Sequence, residues 1–228
     1  MSTAAAVTPL TPQALAQLAV RQAGPLLATA REAGTAVRLA VDGAVEAETA
    51  ALGDLLVEAA LARGVAALQV RAADFWHRRS VRLEWGPHDV DSAYRRWVDW
   101  ASLRREVLDP LTDPGAMSWL PRLRDRDSDR SARDPARAAA PGALLVVDGP
   151  YLLRRELSGS VDVAVHLVTS AAALGRRFPA DGDPRPGAWA RYVQECGPAS
   201  RADLVVRHDH PDRPALLGAA GQQGQVRP

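Results

Sequence analysis

The chain has 228 residues, 47% hydrophobic and 24% charged, with a formal net charge of +1. That composition suits one globular α/β domain with a full core and excludes a collagen-like or low-complexity chain. A charge near zero supplies no bulk field to draw in nucleic acid or an anionic membrane, so neither is expected as a partner.

A single cysteine, Cys196, rules out a disulfide framework within one chain and fits a reducing cytoplasm. Met1 to Thr8 lacks a basic region followed by an apolar one, so no signal peptide is expected. No run approaches the ~18 apolar residues of a membrane span. All 28 Lys-plus-Arg positions are arginine. Any phosphate contact must therefore come from arginine or from backbone N–H groups.

Thr11 to Glu32 carries Leu15, Leu18, Ala19, Gln22 and Leu26 near helical spacing, interrupted at Gly24-Pro25. This reads as one or two amphipathic helices in an N-terminal extension, residues 1–34. Val37 to Val41 is a strand. Leu52, Leu55, Leu56, Ala59 and Ala60 then mark one face of a helix ending near Gly64, and Val65 to Val70 is a second strand. Together they form a right-handed βαβ unit.

The middle of the chain is less regular. Tyr94 to Leu108 has a helical pattern holding Trp97 and Trp100, and Arg122 to Arg137 alternates Arg and Asp in what reads as a solvated, mobile loop. Ala143 to Val147 is an unbroken apolar run of the kind buried on both faces of a parallel sheet. Val161 to Val168 is a fourth strand, Ala171 to Arg177 a short helix, Trp189 to Glu195 a further helix and Leu204 to Val206 the last strand. A Gly/Gln-rich tail, residues 218–228, is expected to be disordered. Five strands separated by helices imply a doubly wound parallel sheet in three α/β/α layers, spanning residues 35–217. Ligands of such sheets bind beyond the carboxyl ends of the strands, where Asp42-Gly43, Asp74 and Asp148 all fall.

The junction Val41 to Leu52 has the strand–loop–helix setting of a phosphate-binding loop, G-x-x-x-x-G-K-[ST]. Counted from Gly43, the second glycine is Glu48, the lysine is Thr49 and the hydroxyl is Ala50. Only the first glycine is present.

Val37 to Leu56, Ala73 to Arg79, Leu108 to Leu111, Leu144 to Leu157 and Arg201 to Val206, in that order, resemble the bacterial uridine-kinase-like P-loop proteins. The resemblance implies a nucleoside-kinase fold, with transfer of the ATP γ-phosphoryl group to a nucleoside 5′-hydroxyl and Mg²⁺ as cofactor. Under it, the acid that takes the hydroxyl proton falls on Ala73, with Asp74 adjacent as a substitute base. The metal-supporting acid falls on Asp148, and a His-Arg pair of the mid-chain loop falls on Arg126-Asp127. Asp42 is either a structural acid or a second Mg²⁺ partner.

With the loop stripped of its lysine and flexible glycines, the expectation is an impaired kinase-like protein that binds a nucleoside-like small molecule or a partner. The alternative is an active phosphotransferase in which Arg78, Arg79, Arg176 or Arg177 replaces the lysine. A subunit of a homo-oligomer, joined through the N-terminal helix, is a third reading. His208-Asp209-His210 is read as a solvated loop in preference to a metal site. Trp76, Trp85, Trp97 and Trp100 either stack a base or form a local core.

Overall fold

The computed structural model describes residues 7–218. Its elements are β1 (Val7–Pro9), α1 (Pro12–Ala33), β2 (Val37–Gly43), α2 (Glu46–Leu61), β3 (Ala67–Arg71), α3 (Arg79–Arg82), α4 (Val90–Arg95), α5 (Trp100–Leu103), β4 (Ser118–Trp119), β5 (Arg137–Ala138), β6 (Leu144–Gly149), β7 (Val163–Val168), α6 (Ala171–Arg177), α7 (Pro184–Cys196), β8 (Leu204–Arg207) and β9 (Ala215–Leu217). The tail read from 218 onward lies, apart from Gly218, outside the described residues.

The main sheet runs β1-β9-β8-β7-β2-β6-β3. Its five parallel strands are those expected from the apolar runs, and β2 sits between β6 and β7. Every residue of β2 and β6 is buried, as an apolar run covered on both faces demands. Two short antiparallel strands were not anticipated: β9 pairs with β8, and β1 pairs with β9. Each is three residues long, too short for a period-2 pattern to show.

Side-chain alternation divides the core. Val37, Leu39, Val41, Leu144 and Val146 face α1 and α2. Ala40, Leu145, Val147 and Ala164 face the layer that holds Tyr94, Leu103, Trp189 and Tyr192. The N-terminal segment is thus part of the domain, since α1 lies in the core and β1 extends the sheet.

Helix α1 is one helix despite Gly24-Pro25. Thr11 caps it, its hydroxyl accepting from Ala14 N–H at 3.1 Å, and Gly34 closes it at φ 75°. Pro25 and Leu26 lie on the solvent face, so the missing N–H frees a carbonyl that water reaches, while Ala23, Leu27 and Ala30 keep the inner face packed.

The single helix expected over Tyr94 to Leu108 is interrupted. Residues 96–99 pair with the segment after β3, through His77 N–H to Trp97 O (2.8 Å) and Asp99 N–H to Phe75 O (2.8 Å). Asp99 then caps α5. The loop over 122–137 is docked rather than free-standing. The N–H groups of Leu123 and Arg124 donate to Asp74 O, Arg124 Nε donates to Trp76 O, and Asp129 accepts from Arg79 N–H. None of the helices among the described residues is long and apolar enough to cross a membrane.

One ion pair anchors the start of the sheet. Arg38 on β2 binds both carboxylate oxygens of Asp162, at 2.9 and 2.7 Å, just before β7. Its side chain is only 8% exposed. Removing one partner of such a pair strands the other. Arg38→Ala is expected to lower unfolding stability by about 3 kcal/mol in urea titrations; a change within about 0.5 kcal/mol would show that the pair is inert.

Candidate functional site

Strand β2 ends at Gly43 and α2 begins at Glu46, leaving only Ala44 and Val45 between them. A phosphate-cradling loop needs several residues whose N–H groups turn inward before the helix starts. Here the N–H groups of Glu48 and Thr49 already bond to Val45 O, at 3.0 and 3.1 Å. Thr49, in the lysine position, is fully buried and its hydroxyl donates to Glu46 O. Its Cγ2 lies 2.8 Å from where a Cβ on Gly43 would sit. The glycine is there to let Thr49 pack against the strand.

Glu48 takes the place of the second loop glycine and does not point to solvent. Its carboxylate accepts from Arg177 Nε and pairs with His208 Nδ1 at 3.0 Å. Burial alone would push the Glu48 carboxyl up, but hydrogen bonds and charge from His208 and Arg177 outweigh it and hold the group below the usual carboxylate range. Arg177 is fixed further by the carbonyls of Ala173, His208 and Asp209. His208, expected on a solvated loop, is 5% exposed, because Glu48 draws it inward. Glu46, at the start of α2, pairs with Arg126 at 3.0 Å. The helix dipole favours both acids at this end.

The expected acids fall in three different environments. Asp42 is completely buried. One oxygen accepts from Leu152 N–H (2.9 Å); the other bonds to His166 Nδ1 (2.7 Å) and Tyr192 OH (3.0 Å). Asp148 is 2% exposed under α2, accepting from Gln69 Nε2 at 3.0 Å. Burial pushes its pKa up to about 6. In the register Val41 pairs with Asp148 and Asp42 with Gly149, so the two carboxylates project from opposite faces of the sheet. They do not fit a shared Mg²⁺. Ala50 brings no hydroxyl, Asp42 has both oxygens engaged, and Asp148 is packed below Gly53, whose Cβ would come within 3.3 Å of it. Among the described residues there is no group of three or more His, Cys, Asp or Glu placed to hold a metal ion.

Ala73, where the resemblance puts the proton acceptor, is buried. Asp74 lines an open polar cleft of about 510 Å³ with Arg122, Arg124 and Arg126. Its carboxyl is raised, chiefly by burial and against the pull of Arg126. Arg78, Arg79 and Arg176 are exposed, and Arg177 alone of the four candidate arginines reaches the loop. The tryptophans divide as well. Trp100 is buried, Trp85 is on the surface beneath Arg96, and Trp76 and Trp97 meet edge to face at 5.6 Å.

Beside the start of α2 lies a second cleft of about 280 Å³. Trp97, Tyr151 and Phe178 line it, with Val98 and Pro150, and Glu46, Arg177 and Arg185 at its polar side. Sequence reasoning missed Arg185, Phe178 and Tyr151. Tyr151 adopts φ 67°, an uncommon conformation for a bulky residue, two residues after Gly149 at φ 141°. Gly149-Pro150 at a strand end was the available signal.

The molecule is a three-layer α/β/α structure with a mostly parallel sheet and a helix leaving the end of its central strand. The structure is similar to that of a possible uridine kinase from Bacillus stearothermophilus, with TM-score 0.63 and 18% identity over 75% of this chain and 88% of that one. It is also similar to a putative fructose transport system kinase from Silicibacter sp. TM1040, with TM-score 0.58 and 22% identity over 82% and 95% of the two chains. At such identities the likeness is one of fold. No protein-family model matches the sequence, and no curated protein matches it significantly.

The buried Asp148 yields a signed pH prediction. Its ordinary value is 3.8 and its folded value about 6, so between these the folded state binds the extra proton and stability falls as pH rises. Above pH 6 the charged, desolvated form costs on the order of 2–3 kcal/mol. Asp148→Asn keeps an acceptor for Gln69 and is expected to raise the melting temperature at about pH 7.5 but to change it little at about pH 3, below both values. An equal effect at both pH values would contradict the assignment.

Proposed function

We propose that this chain is a kinase-fold protein without kinase turnover, which binds a small molecule in the cleft beside α2. The observation that carries the reading is the pairing of Glu48 with Arg177 and His208 at the start of that helix. A triphosphate bound there would have to displace a carboxylate that is covalently tethered and so present at high effective concentration. Charge-assisted hydrogen bonds of this kind contribute about 1.5–3 kcal/mol each. No lysine exists anywhere in the chain to compensate. Phosphoryl transfer depends on positioning and charge stabilisation around the phosphates, and both are lacking.

The competing reading is an active kinase in which arginine replaces lysine. It is favoured only by the presence of Arg177 and Arg185 on the cleft. Both already hold carboxylates, Glu48 and Asp183. Calorimetry with Mg²⁺-ATP is expected to show no saturable binding up to millimolar concentration. Micromolar binding, or ADP release that depends on an added nucleoside, would overturn the proposal in favour of the kinase.

A further inference from the structure

The two edges of the main sheet are finished differently. At one end β1 is three residues long and carries Pro9, which has no N–H to offer a further strand. At the other end stands β3, bonded on one side only, to β6. It contains no proline and no glycine, its register with β6 runs unbroken from Ala67 to Arg71, and its one charged side chain is its last. The devices that ordinarily blunt a free edge are therefore almost absent from it.

Alternation along the strand decides which backbone groups are free. Leu144 N–H donates to Ala66 O at 2.8 Å, so Ala66, Leu68 and Val70 turn their N–H and C=O groups toward β6. Ala67, Gln69 and Arg71 turn theirs outward. Among the described residues, none accepts from the N–H of these three or donates to the C=O of Ala67 or Gln69. The side chains agree. Strands β2 and β6 are buried throughout, whereas Val70 is the one buried residue of β3. Ala67, Leu68 and Gln69 are half-buried, as is Val65 just before them, and Leu61 at the end of α2 is 56% exposed. A parallel strand is ordinarily covered on both faces; β3 has the composition of such a strand without the cover.

We propose that β3 is the interface of a homodimer, in which the β3 strands of two copies pair antiparallel about a two-fold axis at Gln69 and join the two main sheets into one. The occupant is a second copy because the edge is complementary to itself. In that register Gln69 lies opposite its own counterpart and Ala67 opposite the counterpart of Arg71. The outward groups of the two strands then meet in about four to six N–H···O bonds. Charge favours this sense of pairing. Arg71 and Asp54, 4.0 Å apart and both exposed, are the ion pair beside the strand. Antiparallel pairing holds the two Arg71 residues about 13 Å apart along the ladder, beyond a Debye length at physiological salt. Parallel pairing would set them side by side and leave an edge open for a third copy, whereas the two-fold arrangement closes. A seam of five residues falls short of the ~800 Å² per partner of a standard interface, so the dimer forms reversibly, in the micromolar range. The residues of β3 line neither cleft, and α1, the other candidate interface, spends its apolar face on the core.

Sedimentation velocity on the full chain, from about 1 to about 200 µM, is expected to show a monomer–dimer equilibrium. Ala67→Pro removes one outward N–H and no bond to β6, and is expected to leave a folded monomer across that range. Should that variant fail to fold, amide hydrogen exchange on the unaltered chain decides. The amides of Ala67, Gln69 and Arg71 are expected to be protected at high concentration and to exchange fast on dilution, while those of Leu68 and Val70 stay protected throughout. A monomer at every concentration would overturn the proposal. So would a dimer that persists in folded Ala67→Pro, or one in which those three amides exchange alike at both concentrations, since the copies would then meet elsewhere.

Discussion

A carboxylate held by an arginine and a histidine at the start of one helix constrains the rest of this molecule. Glu48 lies on the first turn of α2, Arg177 on the last turn of α6, and His208 just beyond β8. The cluster therefore joins three elements at the carboxyl end of the sheet, where α/β proteins keep their ligands. A helix N-terminus left open at such a position is a ready site for an anion. Here the chain supplies its own anion, the helix begins almost at once after the strand, and Thr49 fills the space above Gly43.

Asp42 performs the matching task below. Its two oxygens collect the Leu152 N–H, the Tyr192 hydroxyl and the His166 ring, so the end of β2 is tied to β7, to α7 and to the segment after β6. Tyr192 in turn accepts from Leu153 N–H at 3.0 Å. These bonds hold Pro150 and Tyr151 as one wall of the cleft, in a backbone conformation a tyrosine would not choose unaided. The acid at the strand end thus shapes the cleft without lining it.

How much of this was legible in the sequence follows from what each feature depends on. The five parallel strands were legible because a strand covered on both faces must be apolar throughout, as Leu144 to Val147 and Val37 to Val41 are. That Glu48, Thr49 and Ala50 stand where the phosphate-loop motif has its second glycine, lysine and hydroxyl was legible directly, because it is a matter of residue identity. The partners of Glu48 were not, because Arg177 and His208 lie 129 and 160 residues away and nothing local marks them. Asp42 and Asp148 both stand at strand ends, so sequence position suggested a shared metal; a one-residue offset in register sends them to opposite faces. The solvated reading of 122–137 followed from its charge, yet Arg124 and Asp129 spend that charge on backbone groups of the segment after β3. The short antiparallel strands β1 and β9 carry too few residues to announce themselves.

The central claim is that the helix terminus is closed by the protein's own side chains. A crystal structure of the protein grown in Mg²⁺ and a non-hydrolysable ATP analogue tests it most directly. The account predicts Glu48 still seated between Arg177 and His208, with no phosphate density at residues 46–49. A triphosphate bound to those backbone N–H groups, with Glu48 swung out and Arg177 turned onto the phosphates, would contradict it.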